Sequence, residues 1–355
     1  SMPHNPTIVS EGTKTSTVRA AHRFDEDRLA SVVREHLPDA TGKLTIEQFG
    51  YGQSNPTFLL RWPNAEFVLR KQPPGELLPS AHAVDREFRV QKALEGTGVP
   101  VAKMHFFSDD RSIVGTPFYV MERKVGRVFT DCALPGTERD ERAPMYRAVA
   151  ETLAKLHTVD PAAVGLGDFG RPGSYYERQF NRWSRNYLQT KTREIPEMDR
   201  LMEWLPPHLP PGDETTIVHG DFRIGNIMFH PTEPRVVAVF DWELATLGHP
   251  LSDLGYCCIL YHATPTEYWG LRGLDIEGLG FPSQEEFVRT YVEAAGRGDS
   301  MRDVHLVFSM FRFAAILDGV RARGLAGNAA ADDAEEVGRL ALTMAQRGWE
   351  LAETS

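Results

Sequence analysis

The chain has 355 residues, 41% hydrophobic and 25% charged, with a formal net charge of −10 at pH 7. That leaves ample material for a core and argues against general nucleic-acid binding. Three cysteines, two of them adjacent (Cys257, Cys258), make neither a secreted disulfide framework nor a zinc-site spacing; with no membrane-length apolar run and no signal-peptide pattern, a cytoplasmic protein is expected.

Polar residues before about Arg19 predict a frayed start. Residues 25–36 predict an amphipathic helix, with Leu29, Val32 and Val33 on one face and Pro38 closing it. Residues 44–49 predict a strand, followed by Gly50-Tyr-Gly-Gln-Ser-Asn55 and then strands at 57–62 and 66–71. Strand, glycine loop and strand suit a phosphate-covering hairpin: Gly50 and Gly52 let the backbone approach, and N–H groups out to Ser54 face the oxygens. Asn55 stands where a third glycine would complete the pattern.

The strand Phe67-Val-Leu-Arg-Lys71 offers two cations on opposite faces, because side chains alternate. If Arg70 faces a nucleotide, so does small Val68, which can cover a base. If Lys71 faces it, bulky Leu69 does too. A helix at 80–94 follows, and its Glu87 is the candidate partner of Arg70. Strands at 101–107 and 117–122 complete a small antiparallel sheet.

Helices are predicted at 143–159 and 174–193, with His157 packed structurally near the end of the first. Arg178, Arg182 and Arg185 recur at i, i+4 and i+7 in the second, one basic stripe in an acidic chain. It is either a solvated face or a contact for an anionic acceptor. Further on, Pro250 opens a helix carrying Asp253, residues 304–322 form another, and 330–349 close the chain. Arg312 and Arg321, on the helix at 304–322, either line an acceptor site or are ordinary surface arginines.

The centre of the chain is Ile217-Val-His-Gly-Asp-Phe-Arg-Ile-Gly-Asn226, then Val236-Val-Ala-Val-Phe-Asp241-Trp-Glu243. It predicts strand, loop, a turn around Pro231 and Pro234, and a second strand ending in carboxylates. His219, Asp221, Asn226 and Asp241 match the phosphoryl-transfer spacing H-x-D-x-x-x-x-N with a later metal-binding Asp. A hydroxyl nucleophile needs a carboxylate at its proton, which suits Asp221. A triphosphate needs a hard cation on oxygen ligands, which suits Asn226 and Asp241 with Mg²⁺. Arg223 either meets the γ-phosphate as charge spreads over its oxygens or braces the loop through a salt bridge. Glu243 is a further metal candidate.

On these residues, with the later run Asp241-Trp-Glu-Leu-Ala-Thr-Leu-Gly-His-Pro-Leu-Ser-Asp-Leu-Gly255, the chain resembles the aminoglycoside phosphotransferase and choline kinase-like superfamily. It looks most like the branch joined to acyl-CoA dehydrogenases. The resemblance runs from about Phe24 to the C-terminus. It implies an α+β, bilobal protein-kinase-like fold, with a small antiparallel-sheet N-lobe at about 24–122, a mainly helical C-lobe at about 126–355, and ATP in the crevice. It favours Arg70 over Lys71 at the phosphates, places Met121 behind adenine, and has Glu122 C=O and Lys124 N–H read the base edge. Asp253 would brace the catalytic loop.

For the acceptor the branch implies a hydroxyacyl-CoA thioester. The alternatives are a cationic acceptor such as an aminoglycoside or choline, and a nucleotide-binding pseudokinase. Asp221, Asn226 and Asp241, all in place, argue against the last. The metal Asp is followed by Trp-Glu rather than Phe-Gly, which disfavours a protein kinase.

Overall fold

The structure, a computed structural model, describes residues 15–20, 23–50, 55–73, 83–327 and 331–355, without the side chains of 331–332. Strands β1 (Thr15–Ser16), β2 (Thr45–Phe49), β3 (Thr57–Trp62), β4 (Ala65–Lys71), β5 (Met104–Ser108) and β6 (Phe118–Glu122) form one antiparallel sheet, ordered β1-β2-β3-β4-β6-β5. Helices α1 (Glu26–His36), α2 (Val84–Leu94) and the short α3 (Arg111–Val114) belong to it. Strands β7 (Arg127–Val128), β8 (Thr216–Val218), β9 (Ile227–Phe229), β10 (Val236–Val239) and β11 (Thr246–Gly248) make two small sheets, β10-β9-β7 and β11-β8.

Helices then dominate: α4 (Arg139–Thr158), α5 (Tyr175–Thr190), α6 (Pro196–His208), α7 (Pro250–Cys257), the one-turn α8 (Pro265–Tyr268) and α9 (Ile276–Leu279), α10 (Gln284–Ala295), α11 (Asp303–Leu325) and α12 (Ala331–Thr354). The chain divides into two compact units. The first runs to Thr130 and includes Leu134–Ala148 and Ile224–Ala245; the second comprises Asp131–Ala133, Val149–Arg223 and Thr246–Ser355. A sheet unit and a mainly helical unit are the α+β pattern expected from the sequence.

In the first unit the period of two sorts β4 between two cores. Leu69 packs with Phe58, Leu60, Trp62, Phe118 and the Leu29 and Val33 stripe of α1. Val68 joins Val84, Met104, Tyr119 and Met121 on the other face. Asp25 caps α1 by accepting from Arg28 N at 3.1 Å, so its register is set from its first turn. Most of the start expected to fray, residues 1–14, lies outside the described residues; within that stretch Thr15 and Ser16 pair with Phe49 and Gln48. Thr15 also bonds Glu47, and Arg19 N donates to Gln48 Oε1 at 2.9 Å. Side-chain hydrogen bonds, invisible to a hydrophobic pattern, hold this edge.

In the second unit α11 is buried over most of its length and packs against α12, α5 and α7. Helix α6 went unread in the sequence; Pro196 at its first turn is compatible with a helix start, while Pro206 and Pro207 fall in its last turn. Among the described residues no helix is long and apolar enough to cross a membrane.

Candidate active site

The first unit contains a pocket walled by Phe49, Val68, Met121, Met228 and Phe240, with Arg70, Asn226 and Asp241 as polar groups. Glu122 and Lys124 line it where the chain leaves β6. Among the described residues nothing accepts from Lys124 N–H, which leaves a backbone donor at the pocket edge. Gly50 follows β2 and is half-buried. Gly52 and Ser54, expected to continue the phosphate loop, lie outside the described residues.

The alternation of β4 separates its two cations. Lys71 turns to the α1 side, donates to Val114 O at 2.7 Å and sits 5.3 Å over the Phe24 ring. Arg70 turns to the pocket and is 5% exposed. Its Nε donates to Glu87 Oε1 at 2.6 Å, its Nη1 to Thr57 Oγ1 at 3.1 Å, and its Nη2 lies 3.5 Å from Asp241 Oδ1. Burial alone would make this guanidinium easier to deprotonate, but the charges of Glu87 and Asp241 outweigh it and raise its pKa. Thr57 was not anticipated. It faces Arg70 in the β3–β4 register, which the two-residue turn at Pro63-Asn64 would have revealed.

Glu87 is 1% exposed and also accepts from Asn55 Nδ2 at 2.6 Å and Tyr119 OH at 2.9 Å. Removing one partner of a buried ion pair leaves a charge uncompensated. Glu87→Gln is therefore expected to cost roughly 3 kcal/mol of stability. Urea unfolding measures it, and a loss below about 1 kcal/mol would mean that Arg70 does not depend on Glu87.

Asn226 is 3% exposed and its carbonyl accepts from Phe240 N at 2.8 Å, tying the start of β9 to the end of β10. Asp241, the next residue, has φ of 59°, left-handed backbone that Asp tolerates better than most residues. The turn leaves its carboxylate on the pocket wall beside Arg70. An amide oxygen and a carboxylate on one wall are hard donors that fit a divalent cation also held by phosphates. Among the described residues no group of three His, Cys, Asp or Glu could hold a metal alone. Two protein ligands and a phosphate-rich nucleotide need no such group.

In the second unit the loop after β8 is pinned from α7. Asp253, 1% exposed, accepts from His219 N at 2.8 Å, Gly220 N at 3.0 Å and His157 Nε2 at 2.8 Å. Burial would raise its pKa, but the hydrogen bond and charge of His157 prevail and hold it below the usual carboxylate range. Gly220 has φ of 86°, a conformation glycine adopts without penalty. His219 Nδ1 accepts from Asp221 N at 3.0 Å, which puts its proton on Nε2. His157 also bonds Tyr291 OH at 2.6 Å, so it is a structural histidine.

Asp221 Oδ1 accepts from Tyr256 OH at 2.7 Å and from Arg223 Nε at 3.2 Å. Burial and the Asp221 charge raise the Tyr256 pKa, so its phenol stays protonated and donates. Arg223 thus forms the brace foreseen as one of its two roles. Tyr256 carried no motif signal; only the packing of α7 brings it here.

The five arginines considered for an acceptor separate, and Arg321 donates to Thr192 Oγ1. Arg178 is half-buried and donates to Arg171 O at 2.8 Å, and Arg185 is exposed on the same helix. Arg182 lies 4.7 Å over the Trp183 ring, and Arg312 lies 5.8 Å from that ring and 5.8 Å from the ring of Tyr256. Arg312 is 7% exposed, not a surface residue.

The first unit thus holds a pocket with a buried cation, an amide and a carboxylate, and the second a braced carboxylate in the H-x-D loop. A model of the phosphotransferase enzyme family matches residues 45–305, and the chain belongs to that family. It is 43% identical over 343 residues to acyl-CoA dehydrogenase family member 10 of Mus musculus, covering 95% of this chain. The chain spans 32% of that relative's length. A crystal structure from Ralstonia eutropha JMP134, named for the aminoglycoside phosphotransferases, superposes with a TM-score of 0.84 at 46% identity, covering 94% of this chain and 99% of the other. A ternary complex of aminoglycoside phosphotransferase APH(4)-Ia with AMP-PNP and hygromycin B shares the fold, with a TM-score of 0.57 at 16% identity over 90% of this chain and 99% of that one. The chain has the kinase-like fold of that family.

Proposed function

We propose that the chain transfers the γ-phosphate of ATP to a hydroxyl of a small-molecule acceptor, with Asp221 as the base. The observation that carries this is the Asp221 carboxylate, held at Oδ1 by Tyr256 and Arg223 on a loop that Asp253 pins. A carboxylate so oriented takes the hydroxyl proton without first having to be ordered. The acceptor oxygen bonds to the γ-phosphorus as the bond to the bridging oxygen breaks. ADP leaves, and the proton ends on Asp221.

Arg70 neutralises phosphate charge from a position fixed by Glu87 and Thr57, and Val68, Met121 and Phe240 exclude water around the base. Glu122 C=O and Lys124 N–H read the base edge, and Gly50 opens the loop assigned to the phosphates. Asn226 and Asp241 hold Mg²⁺, which supplies charge neutralisation on the triphosphate when bound. Arg223 extends its guanidinium, 38% exposed, to the transferring group while its Nε keeps Asp221 in place.

ATP as donor is supported by the AMP-PNP complex of the fold relative. A hydroxyacyl-CoA acceptor is supported by the relative's name, acyl-CoA dehydrogenase family member 10. A cationic acceptor would want carboxylates at its site, where this unit presents arginines. The test is ADP release with Mg·ATP across hydroxyacyl-CoA thioesters, hydroxy acids, amino alcohols, sugars and aminoglycosides. Acceptor-dependent ADP release with an acyl-bearing hydroxyl compound is expected. Turnover confined to aminoglycosides or amino alcohols would overturn the acceptor assignment, and none with any acceptor would overturn the transfer itself.

A further inference from the structure

Arg312 carries a charge that the fold does not neutralise. Its Nε is buried without a hydrogen-bond partner, and among the described residues no carboxylate or carbonyl pairs with it. Arg182 shares the Trp183 ring with it and likewise has no acidic partner among the described residues. Partial desolvation of its guanidinium first, and then the charge of Arg312, lower the pKa of the surface residue Arg182, so the two guanidiniums repel one another. A buried cation without a counter-ion, beside a second cation, is costly in any protein. Ring faces offset part of that cost, but they supply no hydrogen-bond acceptor. An anion from outside the chain would supply one.

The position says which anion. Tyr256 touches both Arg312, through its ring, and Asp221, through its hydroxyl. One side chain therefore separates the unpaired cation from the proposed base. We propose that Arg312 and Arg182, framed by Trp183 and Tyr256, are the receptor for an anionic oxyacid group of the phosphoryl acceptor, whose hydroxyl meets Asp221. This rests on the phosphotransfer reading and deepens it: the acceptor is an anion, and its charge is read by Arg312. A guanidinium fork matches a carboxylate or a phosphate in two parallel hydrogen bonds, which an ammonium cannot reproduce. The group comes either from a free hydroxy acid, as its carboxylate, or from a CoA thioester, as a phosphate.

The experiment needs no turnover, so it stands apart from the phosphotransfer test. Butanoate and CoA, neither of which carries a hydroxyacyl chain, are titrated calorimetrically into the full chain, its Arg182→Met and Arg312→Met variants, and Arg312→Lys. At least one probe is expected to bind, and each methionine variant to weaken it tenfold or more. Arg312→Lys should recover part of the loss, because the charge returns without the fork. Butanoate as the binding probe identifies a hydroxy-acid carboxylate; CoA identifies a thioester phosphate. The melting temperature of Arg312→Met without ligand should stay level or rise, since an unpaired buried charge is gone.

Arg182 is on the surface, so its variant tests the receptor even where a change at Arg312 perturbs folding. Three results would overturn the proposal: neither probe bound at millimolar concentration, binding unchanged in Arg182→Met, or a melting temperature lowered by more than about 5 °C in Arg312→Met. The last would mark Arg312 as a structural residue.

Discussion

Asp221→Asn lowers kcat by about 10²-fold or more and leaves the affinity for Mg·ATP within about threefold. The substitution keeps the size of the side chain and its ability to accept from Tyr256 OH and Arg223 Nε, now 2.7 and 3.2 Å from Oδ1. What it removes is the capacity to take a proton. The nucleotide groups proposed here, Arg70, Asn226 and Asp241, are other residues, so ground-state binding of ATP is expected to change little. Steady-state kinetics with a saturating acceptor, beside calorimetric titration of Mg·ATP, separates the two. A variant with near-wild-type kcat would remove Asp221 from the chemistry, and a matching loss of ATP affinity would make it a nucleotide-binding residue.

Asp241→Ala weakens Mg·ATP by about 10²-fold while leaving ATP without metal nearly unchanged. The carboxylate is the charged member of the proposed ligand pair, and a triphosphate is hard to hold without its cation. Two side effects must be kept apart. Arg70 loses the partner at 3.5 Å but keeps Glu87 at 2.6 Å, so its position is retained. Alanine is disfavoured at a φ of 59° by roughly 1–2 kcal/mol, so a fall in stability accompanies the binding loss. Asp241→Asn tolerates that backbone and removes only the charge; it should weaken Mg·ATP as well, with little change in unfolding midpoint. Unchanged affinity for Mg·ATP in both variants would transfer the metal role to Glu243.

Much of this was legible because it is local. The order of His219, Asp221, Asn226 and Asp241 is a property of consecutive residues, and so is the alternation that sends Arg70 and Lys71 to opposite sides of β4. Helix α1 declared itself through Leu29 and Val33, both fully buried, and through the Asp25 cap. The unread parts depend on contacts made far along the chain. Tyr256 meets Asp221 across 35 residues, and no periodicity encodes that. Arg312 was open between an acceptor contact and a surface arginine, and the burial of α11 on nearly every side takes it off the surface. Strands β7 and β1 span two residues each, too short to show a period.

The central claim, that a phosphoryl group moves from ATP to an acceptor hydroxyl, is tested most directly by following the group itself. The full chain is incubated with Mg²⁺, γ-³²P-labelled ATP and the acceptor that gives the highest ADP release, and the products are separated and identified by ³¹P NMR. The account predicts label in a phosphate monoester on the acceptor's hydroxyl oxygen, in one-to-one ratio with ADP and absent with Asp221→Asn. Label recovered only as inorganic phosphate, or ATP bound and never consumed, would contradict it.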